Sequence, residues 1–328
     1  MDLREQACWL LLVFESGLSL RIVNAIVALW CKQGGRKLED FFAADPHEWI
    51  ATCHLKTDIV QKLERAKEKL PSQSFLAEQL EHDQVRLITV LDDEYPALLK
   101  AALDINRIPP LLFALGDLEI LKRTTIAIIG SRNATEESLE FTSAVAQFLA
   151  AQGANVISGN ARGVDRSAYE GATGVDGYTT VVLPHGIRKL SRAQMRVLRP
   201  KIETGKVLLL SQFHPDAPWL VSRAMERNMV VTGLAQIVIV AEADSKGGTW
   251  EGAHGALKQR RPLYVREAGS AEILPGNKLL LEKGARALPW PAEDVTRTFM
   301  PLLHVSASER AKQMQASPPS YQPSLFIQ

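Results

Sequence analysis

The chain has 328 residues, 46% of them apolar and 23% charged, with a formal net charge of +1. Those values belong to an ordinary globule long enough for one large and one smaller domain, and they exclude a collagen-like, disulfide-framed or disordered chain. The charge is unevenly spread: residues 1–120 carry −6, residues 121–235 carry +5 and the remainder +2, which predicts an anionic partner for the middle of the chain.

Cys8, Cys31 and Cys53 are too few and too widely spaced for a disulfide framework or a zinc ligand set, so a reducing compartment is expected. No apolar stretch approaches the roughly 20 residues of a membrane span, and the N-terminus lacks a secretory pattern. A cytoplasmic protein, without metal or cofactor, is the expectation.

Residues 1–85 are predicted to form a small helical domain. "REQACWLLLVF", "RIVNAIVALWCKQGG" and "TDIVQKLERAKEKL" each place apolar residues at three- and four-residue spacing, and Gly34-Gly35 makes a helix stop. Trp9, Trp30 and Trp49 lack interleaved basic residues, which predicts core rather than a base-stacking platform. Residues 86–120 run from "LITVL" through Asp92-Asp93-Glu94-Tyr95-Pro96 to "LLFALG", and are expected to connect the domains and add edge strands.

From Thr124 the pattern turns regular. "TTIAIIG", "ANVISG", "TTVVLP", "KVLLLSQ", "QIVIVAEA" and "RPLYV" are apolar, β-branched runs separated mostly by helical spacing. Strands of this kind alternating with helices predict an α/β fold with a parallel sheet covered on both faces, a Rossmann-like domain over residues 86–298. Residues 299–328 are rich in Ser, Pro and Gln and are expected to be a flexible tail. The apolar run near residues 230–240 is either an oligomer interface or part of the sheet.

In such a sheet ligands collect at the carboxyl ends of strands, and those ends are rich in Gly and basic residues. The first presents Gly130, Ser131 and Arg132. The second is "SGNARGVD", with Ser158, Gly159 and Arg162. After the fifth come Lys246, Gly247, Gly248 and Thr249, and ahead of it stand Arg223, Arg227 and Asn228. Glycine admits backbone N–H groups close to an anion, helix N-termini favour negative charge, and arginine binds phosphate bidentately. One such loop is commonly only a turn; several on one edge predict phosphate binding. The dinucleotide fingerprint G-x-G-x-x-G is absent.

From Gly177 to Ile202 there is no acidic residue. Arg188 and Lys189 precede Ser191, a candidate cap, after which Arg192, Arg196 and Arg199 fall on one helix face. That stripe is either a solvated face or a phosphate track. His185, His214 and His254 stand singly, and Glu251 is the one carboxylate beside a Gly-rich loop.

In family order, "LDDEYPALL", "PPLLFALG", "IAIIGSRNAT", "VISGNARGVDRSAYEGA", "RNMVVTGLAQIVIVAEA" and "PGNKLLLEKGA" resemble the DNA-processing protein A (DprA/Smf) family over roughly residues 1–290. The resemblance implies an extended Rossmann-like fold with a small N-terminal helical (SAM-like) domain. It also implies a homodimer that binds single-stranded DNA by its backbone and loads RecA recombinase in DNA uptake, transformation or recombination. Ser131, Arg132, Arg162, Arg227 and Asn228 carry over as phosphate contacts. Met229 stands where the family usually has arginine, Ala224-Met225 replace an aromatic-proline pair, and Tyr169 replaces a usual histidine.

"GGTWE" also resembles the loop of lonely-guy nucleotide phosphoribohydrolases, in which Glu251 would assist N-glycosidic cleavage. That loop is one glycine short here, and the N-terminal domain has no place in that family. A non-catalytic nucleotide-sensing module is a third reading. The terminal "QPSLF", with Gln322, Leu325 and Phe326, resembles peptides that dock on the bacterial sliding clamp.

Overall fold

The structure, a computed structural model, describes residues 1–267 and 274–315, with side chains described as far as residue 305. The chain divides into two compact units. Among the described residues, one comprises residues 1–95 and 103–113; the other comprises residues 96–102 and 114–315.

The first unit is helical: α1 (Leu3–Leu10), α2 (Leu20–Ile26), α3 (Leu38–Ala43), α4 (Pro46–Cys53), α5 (Thr57–Lys67) and α6 (Leu70–His82). Wider π-type turns continue α1 to Glu15 and α2 to Gln33, and the second ends at Gly34-Gly35 as predicted, Gly35 taking φ +63°. Trp9, Trp30 and Trp49 are buried, with Phe41 stacked on Trp49 at 4.9 Å. The buried Glu5 carboxylate accepts from the N–H groups of Leu38 and Glu39 at 3.0 and 2.8 Å, satisfying donors at the start of α3. Burial pushes the thiols of Cys8, Cys31 and Cys53 up to about 12, so they stay protonated. The short strand β1 (Arg86–Thr89) neighbours β2 (Leu111–Leu115).

The second unit opens with α7 (Ala97–Ala102) and holds seven parallel strands. They are β3 (Thr125–Ile129), β4 (Asn155–Ser158), β5 (Tyr178–Val182), β6 (Val207–Ser211), β7 (Ile237–Val240), β8 (Leu263–Glu267) and β9 (Arg286–Pro289). Their spatial order is β6-β5-β4-β3-β7-β8-β9. The first six answer the six predicted runs. β9 escaped prediction because only one of its four residues, Leu288, is buried, so it carries no apolar run.

Along β3 the side chains alternate between faces. Ile126 and Ile128 enter a core formed with Phe141, Val145 and Leu149 of α8 (Glu136–Ala151) and Val164 and Ala168 of α9 (Val164–Gly174). Ile129 faces the other way, against Gly252 of α12 (Gly248–Lys258), which packs on α11 (Val221–Gly233). The helices α10 (Arg192–Glu203) and α13 (Pro275–Glu282) complete this part.

Two expectations change. Residues 299–315 continue as α14 (Val295–Gln315) rather than as tail, because Phe299 and Leu302 are buried against Phe141 and its neighbours. Of the two readings of residues 230–240, the sheet reading holds, with Val230 and Val231 of α11 and Ile237 to Val240 of β7 all buried. The connector is not one segment: residues 103–113 cluster with the helical unit and residues 96–102 with the sheet. Gln322, Leu325 and Phe326 lie outside the described residues.

Candidate nucleic-acid interface

The chain builds outward from β3 through β4, β5 and β6, then returns to place β7 on the other side of β3. Where strand order reverses, the loops leaving adjacent strands diverge and open a crevice at their carboxyl ends. A cleft of about 410 Å³ lies there, lined by Gly130 to Asn133 after β3, by Asp244 and Lys246 to Thr249 after β7, and by Arg227 and Asn228 of α11. A second cleft of about 680 Å³ shares Arg132, Ala161 and Arg227 with the first and extends past Gly159, Arg162, Arg166, Tyr169 and His185.

The loop after β3 is shaped by close approach. A Cβ at Gly130 would lie 2.5 Å from Val164, and one at Gly163 would lie 2.3 Å from the Ser131 carbonyl, where φ is also +84°. Both glycines let the start of α9 press against this loop, and the Val164 N–H donates to the Ser131 carbonyl at 3.1 Å. Arg162 ties the two loops by donating to the Arg132 carbonyl at 3.3 Å and to the Asn133 side chain.

The N-terminus of α8 is not the anion site that its position suggests. Thr135 caps it, the Glu242 carboxylate accepts from the Thr135 N–H at 2.8 Å, and Glu136 and Glu137 fill its first turn. A negative charge already sits on that dipole. Behind it, the fully buried Arg266 donates to Ser138 at 2.8 Å and to the Ala241 carbonyl at 3.2 Å. Asn277, from the "PGNK" stretch, accepts from the Ala243 N–H at 2.8 Å. These two residues fix the turn after β7.

By contrast, no side chain among the described residues caps α12: Gly247 holds the N-cap position at φ +96°, and Gly247, Gly248 and Thr249 line the first cleft. Free N–H groups and the positive end of an 11-residue helix therefore face it. Lys246 is exposed beside them, and the Asn228 amide steadies the loop by donating to the Gly248 carbonyl at 3.0 Å.

Arg132 lines both clefts, exposed, forming no ion pair with a carboxylate among the described residues and with its guanidinium 5.6 Å from the centre of the Trp219 ring. Sequence reasoning passed over Trp219. It is 46% exposed, and Val197, Leu220, Val221 and Met225, nearby in sequence or in the cleft walls, are also exposed. The signal was available in "PWLVSRAM", where an aromatic residue, apolar residues and an arginine stand together.

Other predicted contacts fall elsewhere. Arg227 is only 2% exposed; it pairs with Asp165 at 3.7 Å and donates to the Val182 carbonyl at 2.9 Å. A Cβ at Gly159 would lie 1.2 Å from this guanidinium, so Gly159 is there to admit Arg227, not a phosphate. Burial raises the Asp165 carboxyl above its ordinary value, with Arg227 and the Gly159 N–H opposing the shift. Ser158 is buried, its hydroxyl donating to the Asp165 carbonyl at 3.1 Å. Arg227, Asp165 and Gly159 line the clefts, whereas Ser158 lines neither.

Ser191 caps α10 as predicted, and a Gln194 capping box, not foreseen, completes the cap; Arg192, Arg196 and Arg199 are exposed on this helix. Yet none of them lines either cleft; Ala193, Gln194, Val197 and Leu198 of the same helix do. Arg199 pairs with Glu203 at 3.7 Å and Arg188 with Asp216 at 3.6 Å, and Lys189 is exposed. The stripe is not brought together with the loops. Glu251 is exposed on α12 and lines neither cleft, so it is not placed to act on a molecule bound in them. Among the described residues, no His, Cys, Asp or Glu group could hold a metal ion, and no helix is long and apolar enough to cross a membrane.

Known proteins share this architecture. The chain is 30% identical over 218 residues to protein Smf of Escherichia coli, covering 65% of this chain and 57% of that protein. It is 28% identical over 213 residues to DNA processing protein DprA of Bacillus subtilis, covering 64% and 70%. The solved structure of DprA from Streptococcus pneumoniae superposes with a TM-score of 0.67 at 22% identity, over 86% of this chain and 94% of that one, and shows the same Rossmann-like fold. DNA processing protein A from Helicobacter pylori, described for its single-stranded DNA binding mode, matches with a TM-score of 0.56 at 28% identity, over 67% and 96%. The family model for DNA recombination-mediator protein A matches residues 86–300, more than half of the chain, and places this protein in that family.

Proposed function

We propose that the chain binds single-stranded DNA by its sugar-phosphate backbone, with weak sequence preference, and serves as a recombination accessory that protects the strand and loads RecA recombinase. The observation that carries this reading is Arg132, a cation in no ion pair among the described residues, placed where two clefts meet. The uncapped N-terminus of α12 and Lys246 lie on one side of it and Arg162 on the other. Successive phosphates can occupy these positions without any base being read. The described binding mode of the Helicobacter pylori relative supports the ligand, and the family supports the recombination role.

The site binds and orients a strand, and the reading assigns it no catalysis. A homodimer, a cytoplasmic setting, a place in DNA uptake and transformation, and clamp docking through Gln322, Leu325 and Phe326 belong to the same proposal.

Fluorescence-polarisation titration of labelled single-stranded and duplex DNA at several salt concentrations, with a mononucleotide as competitor, tests it. Tight, salt-sensitive binding that prefers single strands and resists the mononucleotide is expected. Affinity for the mononucleotide with none for DNA would overturn it.

A further inference from the structure

We propose that the open edge of β1 is a docking site for an extended, basic segment of a partner protein, which pairs with it as an added strand. The inference concerns the first unit and is independent of strand binding at the two clefts.

β1 stands at one end of the strand order, with β2 as its neighbour on the other side. Backbone groups alternate along a strand, one residue facing its neighbour strand and the next facing away. The Val90 N–H donates at 2.9 Å to the carbonyl of Pro110, the residue directly before β2. That contact turns Ile88 and Arg86 toward β2 and leaves Val85, Leu87 and Thr89 facing away. Thr89 bears this out, because Asp92 covers it from outside. The Thr89 N–H donates to the Asp92 carboxylate at 2.7 Å, and its carbonyl accepts from the Asp92 N–H at 3.0 Å. The Val85 N–H turns back to the Leu80 carbonyl at 2.8 Å. The Val85 carbonyl and both backbone groups of Leu87 are left as rungs for an incoming strand, the template that an open sheet edge presents.

A groove of about 660 Å³ lies at this edge, lined by Val85, Arg86 and Leu87 together with Glu81, Asp92, Asp93 and Glu94. Arg86 is the one cationic side chain in the lining, and Glu94 already pairs with it. Glu81 and Asp93 are exposed, and the groove belongs to a stretch, residues 1–120, that carries −6. Met1, 53% exposed, adds an apolar wall.

This charge decides the occupant. A nucleic acid, or the same edge of a second copy, brings further negative charge against the carboxylates. An extended peptide with lysine or arginine at every second residue lays its cations on one face, toward them. Its backbone supplies the ladder and its side chains the selection, as strand addition requires.

The test titrates the full chain by fluorescence polarisation with a labelled short peptide alternating valine and arginine. One comparison peptide is N-methylated along its backbone, which keeps the charge and removes the donors; another carries glutamate in place of arginine. The parent peptide is expected to bind, N-methylation to weaken it about tenfold, as loss of one or two backbone hydrogen bonds implies, and the glutamate peptide not to bind. Glu81→Gln combined with Asp93→Asn, both at exposed positions, should weaken the parent peptide severalfold and leave affinity for single-stranded DNA in place. No binding of the parent peptide, equal binding of the methylated one, or undiminished binding by the double variant would each overturn the proposal. Displacement of the peptide by single-stranded DNA would also overturn it. So would sedimentation in which the peptide splits a dimer, since the edge would then belong to a second copy.

Discussion

At the scale of single residues, two arginines of one site show how burial and pairing divide labour. Arg132 lines both clefts and forms no ion pair among the described residues, so it is free to meet a phosphate. Arg132→Ala should weaken binding to every single-stranded sequence alike and lower the salt slope by about 1, the signature of one lost phosphate contact; polarisation titrations over a salt series measure both. Arg227 is buried, paired with Asp165 and lodged where Gly159 lacks a Cβ. Removing it leaves a buried carboxylate alone, so Arg227→Ala should cost about 3 kcal/mol of folding stability. The pH dependence has a definite sign. Burial already raises Asp165, and loss of Arg227 removes the strongest influence opposing it. A folded-state carboxyl raised above its unfolded value contributes stability that is complete below the unfolded value and is lost as pH rises through the folded one. Urea denaturation should therefore show a deficit against the parent protein that is smaller at mildly acidic pH than at neutral pH. The sequence made Arg132 legible, because a Gly-Ser turn closing an apolar strand carries the next side chain out of the sheet. It could not separate Arg227 from it, since nothing local to "RAMERNM" reports that Asp165 and Gly159 close over that side chain.

Elements were read best where they carry a strong period. The strands β3 to β8 are short apolar runs bounded by turn residues, and the Ser191 cap of α10 has its Gln194 partner three residues on. What eluded periodicity was settled by tertiary contact. α14 reads as polar tail, yet Phe299 stands edge-on to Phe141 at 6.2 Å and to Phe148 at 5.9 Å. Phe299→Ala should lower stability by about 3 to 5 kcal/mol, read from the urea midpoint. A tail residue would show almost no change. The two helix N-termini near the first cleft carry a related lesson. Position in the fold made both α8 and α12 candidates for an anion, but the Glu242 carboxylate and the first-turn acids take α8 out of contention and leave α12 open. The glycines flanking α12 announced this; a carboxylate arriving from the end of β7 could not be seen from the sequence around α8.

For the whole molecule, the uneven charge and the fold agree. The positive middle third of the sequence supplies the loops after β3 and β4, and the acidic first 120 residues supply none of the cleft lining. The chain also passes from the first unit to the second at residue 96, back at 103 and across again at 114. The short loop-out, residues 96–102, is held in the sheet unit by Leu99 against Gly233 and by Arg261, which donates to the carbonyls of Leu98 and Gly233 at 2.8 and 2.9 Å. Between the second and third crossings, Arg107 is exposed in the turn after Asp104. The chain thus crosses between the units three times before residue 115, so a single cut at Arg107 leaves each fragment with residues of both units. Trypsin cutting after Arg107 should give two bands under denaturing conditions, while the nicked protein still elutes from a sizing column as one particle, because each fragment keeps a piece of the other's fold.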